Sequence, residues 1–479
     1  MSRGAWVAHG AGMRRGLRWV FRILVALVVL IGVAIVALVS PVDDRPYLRT
    51  AYHSNTVVRL NAALASLPTT PERQGVKAGW ARVKLTPTMG TAADAPAKGE
   101  FRWVPLAGFG ARRGAPAEGV HDDVWVKALA LESGGRRVVF VGIDALIVPR
   151  EVSEAVAAEL GRSPGLRREE LYLGATHTHS SVGGWGEGVV AEAFAGDFQP
   201  GVRTWMTHCL VEAVRGALAG MGPAEVAVGS FRAPGQVRNR LVGEAGRVDD
   251  EFSLLAVKKA EGGTAVLGAF AAHATVLGSG NRQFSGDYPG HWAAEVEKAT
   301  GGMAVFIAGG VGSHSPQTGP GKDFERVAGL GSRLAAETVG QVSQMKFQSQ
   351  VELVVAGIDV DLPPLNPRVS DDIRIRPWAA EKLLPVRPTS FLQGVRIGDT
   401  VWVSTPCDFS GELALVLKEH AQSRGRRLTV TSFNGDYIGY VIPTKYYHLG
   451  GYEPQTMSFH GPATADYFEE LIRRLVDGI

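Results

Sequence analysis

Only two cysteines, Cys209 and Cys407, occur among 479 residues. That excludes a disulfide framework and leaves one bridge or, as expected here, two buried thiols. Internal repeats and low-complexity tracts are also missing, which argues against solenoid and disordered classes. No basic block is interleaved with aromatics, and the formal net charge of +3 depends on Arg3, Arg14, Arg15, Arg18 and Arg22. The remainder is slightly acidic, so no nucleic acid partner is expected. Long hydrophobic runs are scarce too, the one present extending from Ile23 to Val39. At 1.5 Å per residue it rises about 25 Å, and Val20, Phe21 and Ser40 bring it near the hydrocarbon thickness of a bilayer. It is long for a signal-peptide core, lacks an A-x-A cleavage site and is followed by Pro41, so it reads as an uncleaved signal anchor. Arginines before it and Asp43-Asp44 after it place the N-terminus in the cytoplasm and the rest outside the cell membrane.

The chain accordingly divides into a basic cytoplasmic tail (1–22), a single span (23–40), a juxtamembrane connector (41–77) and one large domain (78–479). The connector carries a helical pattern with Leu48, Val57, Leu60, Leu64 and Leu67 near one face, closed by Pro68 and Pro71, and is expected to lift the domain off the bilayer. Beyond it, strand-like runs at 138–143, 171–173, 265–272, 304–308, 400–404 and 428–432 alternate with helical ones. The helical segments fall at 150–161, 202–220, 289–299, 324–341 and 410–422. Such alternation predicts an α/β fold: a layered sandwich of mixed sheets flanked by helices, preceded by one transmembrane helix.

Chemistry concentrates where these strands end. Gly174-Ala175-Thr176-His177-Thr178-His179-Ser180 follows the strand at 171–173, and in an extended chain residues two apart face the same way. His177 and His179 are therefore expected side by side, as a metal site, an acid/base centre or a structural pair. His273 closes another apolar strand, and Gly309 to Gln317 forms a Gly-rich loop after a third. Asp408, where a strand hands over to a helix, is either an N-cap or a metal ligand. Tyr437 and Tyr440 follow a fourth strand. A metallo-β-lactamase pattern needs Asp and His at positions occupied by Ser181 and Val182. Cys407 is expected to face the core beside Asp408, His121 to lie at a turn or near the pocket, and His314 is given no role.

In order, these blocks resemble the neutral, non-lysosomal ceramidases, zinc amidases that cleave ceramide. The resemblance opens at Ala78-Gly79-Trp80-Ala81-Arg82-Val83-Lys84-Leu85-Thr86-Pro87. It continues through Pro105 to Gly110, Gly119 to Asp122 and the GATHTHS segment, and ends at Tyr452-Glu453 and Phe459 to Pro462. It implies one Zn2+ per chain, with His177, His273, Asp408 and Tyr440 as ligands. His179 and Arg240 fall on residues contacting the amide and its tetrahedral intermediate, Tyr447 on a substrate-side tyrosine and Ser315 on a proposed serine nucleophile. The implied substrate is a lipid amide, and the implied attack is by zinc-activated water, because Ser315 lacks its acidic neighbour. Where the family has glutamate this chain has Asp408, so Glu412 one turn later is an alternative ligand. No counterpart of the family's C-terminal β-sandwich is expected. Rival readings are a hydrolase of the same family acting on another amide or ester, and a non-catalytic lipid-binding protein.

Overall fold

The computed structural model describes residues 5–68, 72–260, 262–384 and 386–479. Arg3 of the expected tail and Pro71 of the expected connector lie outside the described residues. The larger of two main sheets is nine-stranded. It contains β1 (Gln74–Lys84), β2 (Trp125–Ser133), β3 (Arg136–Ile143), β4 (Leu171–Ala175), β5 (Gly222–Arg232), β6 (Glu251–Lys259), β7 (Thr264–Phe270) and β8 (Ala304–Ala308). Their spatial order is β8-β7-β6-β5-β1-β2-β3-β4, and Gln350–Val351 pairs alongside β1. The four-stranded sheet runs β9 (Leu353–Asp361), β10 (Thr389–Ile397), β11 (Thr400–Ser404), β12 (Arg427–Thr431). Within the two sheets neighbours are antiparallel except for β3/β4, β7/β8 and β11/β12.

The strands expected from the sequence are those six parallel ones. Parallel strands covered on both faces are written as unbroken apolar runs, as in Ala304–Ala308, every residue of which is buried. Among the antiparallel strands, β5 exposes or half-exposes most of its residues, a weaker signal, whereas β2 and β6 are buried along almost their whole length. The strand expected at 265–272 ends at Phe270, where the chain turns toward His273.

Four layers result. Helices Arg150–Arg162 and Pro200–Ala219 cover the outer face of the large sheet. Phe140, Tyr172 and Ile307 of that sheet meet Val355, Val395 and Trp402 of the small one in an inter-sheet core. Helices Gly411–Ser423 and Thr464–Gly478 cover the outer face of the small sheet. The large sheet also curls, so that β8 packs onto β3 and β4. A Cβ at Gly174 would lie 2.5 Å from the Ile307 side chain, so only glycine permits this approach.

The N-terminal helix α1 (Ala5–Leu38) continues through the arginines, so the expected boundary at residue 22 is not an element boundary. Within it Gly16–Leu38, mean hydropathy 3.0, is long and apolar enough to cross a membrane. After it, Val39–Pro41 pairs antiparallel with Ile373–Ile375. The Arg376 backbone N–H donates to Leu38 O (2.8 Å), and its guanidinium donates to Val39 O (3.0 Å) and Val36 O (3.2 Å). A cation thus satisfies the carbonyls at the helix C-terminus, where the dipole favours positive charge. Helix α2 (Ala51–Ala65) lies in the expected connector and packs on the small sheet. Thr50 caps it, Leu60 is fully buried in the core of the small sheet, and Arg59 pairs with Asp361. Burying one leucine contributes about 2 kcal/mol, enough to hold this segment as part of the body.

Candidate metal centre and active site

Each parallel pair delivers its C-terminal ends to one place. The Thr176 N–H donates to Ile143 O, Gly309 to Phe270 O and Thr405 to Thr431 O, at 2.9–3.0 Å. Ser432 N donates to Ala308 O (2.9 Å) and Asn434 Nδ2 to Leu173 O (3.1 Å), so the ends of all three pairs are laced together. The loops leaving these ends carry His177, His273, Asp408 and, past β12, Phe433, Tyr437 and Tyr440.

His177 does not sit in an extended strand as expected. β4 stops at Ala175 and His177 is left-handed, with φ of 61°. Such a conformation costs a β-carbon residue about 1 kcal/mol or more and persists only where the surroundings enforce it. Here the ring stacks on Phe433 (centroids 3.8 Å, planes 4° apart), itself left-handed, and its Nδ1 donates to Leu146 O at 2.6 Å. His273 Nδ1 donates to Val311 O (2.9 Å) and His314 O (3.1 Å). Both histidines therefore turn a bare Nε2 lone pair toward the same space, the tautomer a metal ligand needs.

Asp408 completes the cluster. Its two-residue strand Asp408–Phe409 pairs parallel with Tyr440–Val441, so Asp408 and Tyr440 are register partners. The cap of the following helix is Ser410, which accepts from Glu412 N, so Asp408 is free of capping duty. Tyr437 donates to Asp408 Oδ2 (2.8 Å), whereas Oδ1 is buried without a hydrogen-bond partner. That orphaned oxygen lies 3.2 Å from His273 Nε2 and 3.9 Å from His177 Nε2, and Tyr440 Oη is 3.4 Å from His273 Nε2. Ligand separations of about 3.3 Å are what a tetrahedron with bonds of 2.0–2.1 Å requires, so this donor set fits zinc. Glu412 is committed elsewhere, to Asn239 Nδ2 (3.2 Å) and Lys445 Nζ (3.4 Å).

Arg240 NH2 donates to Tyr440 Oη at 2.9 Å and lies 3.3 Å from His273 Nε2, while its Nε is 2.8 Å from Glu453 Oε1. Glu453 was legible only as part of a family block; its pairing is a long-range contact with no local signature. Burial and the Asp408 carboxylate push the Tyr440 phenol well up, and Arg240 pulls it back. His179 differs from the other two histidines. Its Nε2 is 3.2 Å from His177 Nε2, and the three imidazoles form one cluster within 4.8 Å, but its buried Nδ1 has no partner. A ring without an outer anchor is not held as metal-binding histidines usually are.

Other expected residues lie apart. Ser315 is on the strand His314–Pro316, its Oγ accepting from Arg238 Nε (3.2 Å), and does not face the cluster. Tyr447 lies beyond the turn at Thr444–Tyr446, its hydroxyl donating to Asn366 O (3.2 Å) and its ring under Arg368, whereas Tyr452 packs edge-on against Tyr440. His314 is buried behind His273, His121 stacks on Phe324 at the surface, and Cys209 and Cys407 are free and buried.

His177, His179, Asp408 and Tyr440 line one side of a cleft. Ile147, Val190, Phe194, Leu384, Val386 and Met457 wall it, so an apolar chain fits beside these polar groups. Gly108, from the Pro105 to Gly110 block, touches His179 directly: its φ is +114°, and a Cβ there would lie 2.5 Å from His179 Nδ1. Gly108→Ala is expected to lower turnover by about tenfold or more while leaving zinc content intact, checked by kinetics beside metal analysis; loss of zinc instead would make His179 a ligand.

Burial, reinforced by neighbouring His273, holds His177 down to about 3, and burial holds His179 and His273 well below the usual range. Desolvation disfavours the charged form of a base, so these rings stay neutral well below pH 6.5. In zinc-free protein the imidazole ¹⁵N resonances of His177 are expected to hold their neutral positions from pH 7.5 to 5; a midpoint near 6.5 would mean a wetter site.

Fold and site together define a layered α/β protein with a nitrogen and oxygen donor cluster at converging strand ends. Residues 92–321 match the family model for neutral/alkaline non-lysosomal ceramidase, N-terminal. Neutral ceramidase of Mycobacterium tuberculosis (strain ATCC 25618 / H37Rv) is 26% identical over 209 residues, 40% of this chain and 33% of the relative. The match thus spans about a third of that relative's length. The chain is similar in fold to neutral ceramidase from Pseudomonas aeruginosa, with a TM-score of 0.72, 20% identity, and 85% and 75% of the two chains covered. A ceramidase complexed with C2 gives 0.71, 19%, 83% and 74%. The matched segment, 92–321, carries His177, His179, Arg240 and His273.

Proposed function

We propose that the protein is a membrane-anchored zinc amidase that cleaves ceramide, or a related N-acyl lipid, to a fatty acid and a free sphingoid base. The observation that carries this reading is the orphaned Asp408 Oδ1 facing the proton-free Nε2 atoms of His177 and His273 beside a largely apolar cleft. His177, His273, Asp408 and Tyr440 would hold one zinc ion, which would supply Lewis acidity toward an amide carbonyl and a water molecule.

The chain's own groups do the rest. The apolar walls bind an acyl or sphingoid chain and exclude bulk water. Arg240, fixed by Glu453, holds positive charge where the carbonyl oxygen becomes an oxyanion. His179, neutral and with an unpartnered Nδ1, takes the proton released as water attacks and passes it to the leaving nitrogen. No step is assigned to Ser315 or Tyr447. The anchor α1, with its N-terminus cytoplasmic, keeps the domain at the lipid surface on the outer side of the membrane.

Purified full-length protein in detergent is expected to contain one zinc per chain and to hydrolyse a fluorescent ceramide. Chelation is expected to abolish hydrolysis and added zinc to restore it. Faster hydrolysis of simple esters than of ceramide would move the reading to a different substrate, and a folded protein free of zinc and activity would make it a lipid-binding scaffold.

A further inference from the structure

The segment from Ile373 to Val386 performs several tasks that together locate the membrane. Ile373–Ile375 pairs with the residues that leave α1, and Arg376 caps the end of α1 itself. The short helix Pro377–Ala380 follows at once. Trp378 on that helix is 49% exposed and Leu383 just after it 51% exposed, although both are large and apolar. Leu384, the next residue, is buried and lines the cleft, as does Val386. Within a dozen residues the chain passes from the end of the apolar helix, across an exposed aromatic and an exposed aliphatic side chain, to the wall of the cleft.

Soluble surfaces carry scattered apolar residues without consequence, but these lie beside an apolar helix whose end is fixed to the same segment. Lys382 Nζ sits 5.5 Å over the Trp378 ring, an aromatic and cationic pairing that suits the boundary between headgroups and acyl chains. Glu381 precedes Lys382, so the turn has no net cationic character and does not select for anionic lipids. Val369, 51% exposed, bonds through its N–H to Ile373 O at the start of this segment, and Leu449, 42% exposed, accepts from neighbouring Arg368 (2.7 Å).

We infer that the turn from Pro377 to Leu384 is a lip inserted in the bilayer interface beside the anchor, Trp378 and Leu383 among the lipids and Leu384 facing the cleft. A lipid amide then enters the cleft sideways from the bilayer without crossing water. This rests on the reading of α1 as a membrane span and of the cleft as a lipid site. Its occupant is the bilayer, zwitterionic lipid included, held by insertion and not by charge.

The test uses full-length protein reconstituted into phosphatidylcholine vesicles and an environment-sensitive fluorophore on Leu383→Cys. Cys209 and Cys407 are buried, so labelling falls on the new thiol. Ser423→Cys, exposed at the end of helix Gly411–Ser423 that leads into the far end of β12, is the water-side control. The expected result is blue-shifted emission at 383, quenched at least twofold by bilayer-borne brominated lipid, with neither effect at 423. Protein that floats with the vesicles but shows aqueous emission at 383 overturns the lip and leaves the anchor standing. Protein that does not float overturns the anchor and the lip with it. In a second arm, Trp378→Ser/Leu383→Ser is expected to lower hydrolysis of vesicle-borne ceramide about tenfold while a water-soluble short-acyl amide is cleaved within twofold of normal. Equal loss on both substrates would make the turn structural only.

Discussion

Asp408→Asn is expected to lower kcat/KM on a lipid amide by about a thousandfold, roughly 4 kcal/mol, and to take zinc occupancy down with it. The substitution keeps size and shape, so it isolates charge. Asp408 is the carboxylate of the donor cluster, and its Oδ1 is left with neither a hydrogen bond nor solvent. An anionic oxygen in that position is costly unless a cation meets it, and burial accordingly raises the Asp408 pKa. An amide oxygen would be tolerated there more cheaply, so Asp408→Asn is expected to fold at least as well as the parent while binding zinc less. Glu412→Gln, by contrast, is expected to leave zinc stoichiometry unchanged, because Glu412 spends its oxygens on Asn239 and Lys445. Metal analysis of the two variants side by side decides the matter. Full zinc in Asp408→Asn with loss in Glu412→Gln would reverse the ligand assignment.

Arg240→Met is expected to cost about 100- to 1,000-fold in kcat with KM within a few-fold and zinc retained, the scale for removing one group that stabilises an oxyanion. Its guanidinium reaches both Tyr440 Oη and the neighbourhood of His273 Nε2 while Glu453 fixes the other side of the fork. Arg240→Lys is expected to recover little, since a single ammonium on a flexible stem cannot span Glu453 and Tyr440 together. Steady-state kinetics with metal analysis separates this from a supporting role: zinc lost in parallel with activity would mean that Arg240 chiefly holds Tyr440.

Much of this site was legible because its residues sit in short loops after buried strands, where hydrophobic runs stop abruptly and polar residues stand out. Those same runs are the six parallel strands; β5 carries a loose pattern of exposed and half-exposed residues, and the buried runs of β2, β6 and β10 are interrupted in sequence by Lys127, Ser253, Gln393 and Arg396. What local pattern does not encode is contact at long range. The left-handed turn at His177 and its stacking on Phe433 join segments more than half the chain apart, and no periodicity announces them. Helix α2 was visible as an apolar stripe, but the stripe does not say that its partner is β9. The sequence leaves Asp408 as cap or ligand, and in the structure Ser410 holds the cap.

The meeting of three parallel pairs also sets the smallest working unit of this protein. The matched family segment ends at residue 321, before either strand of the pair β11/β12 begins. His177 and His273 lie inside it, but Asp408, Tyr440 and the stacking ring of Phe433 lie beyond, on loops that exist only once the small sheet has formed. A fragment cut at that boundary would keep both histidines and the carbonyls that anchor them, but would lose Asp408, Tyr440 and the Phe433 ring. In this chain, modularity by sequence similarity and modularity by chemistry have different borders.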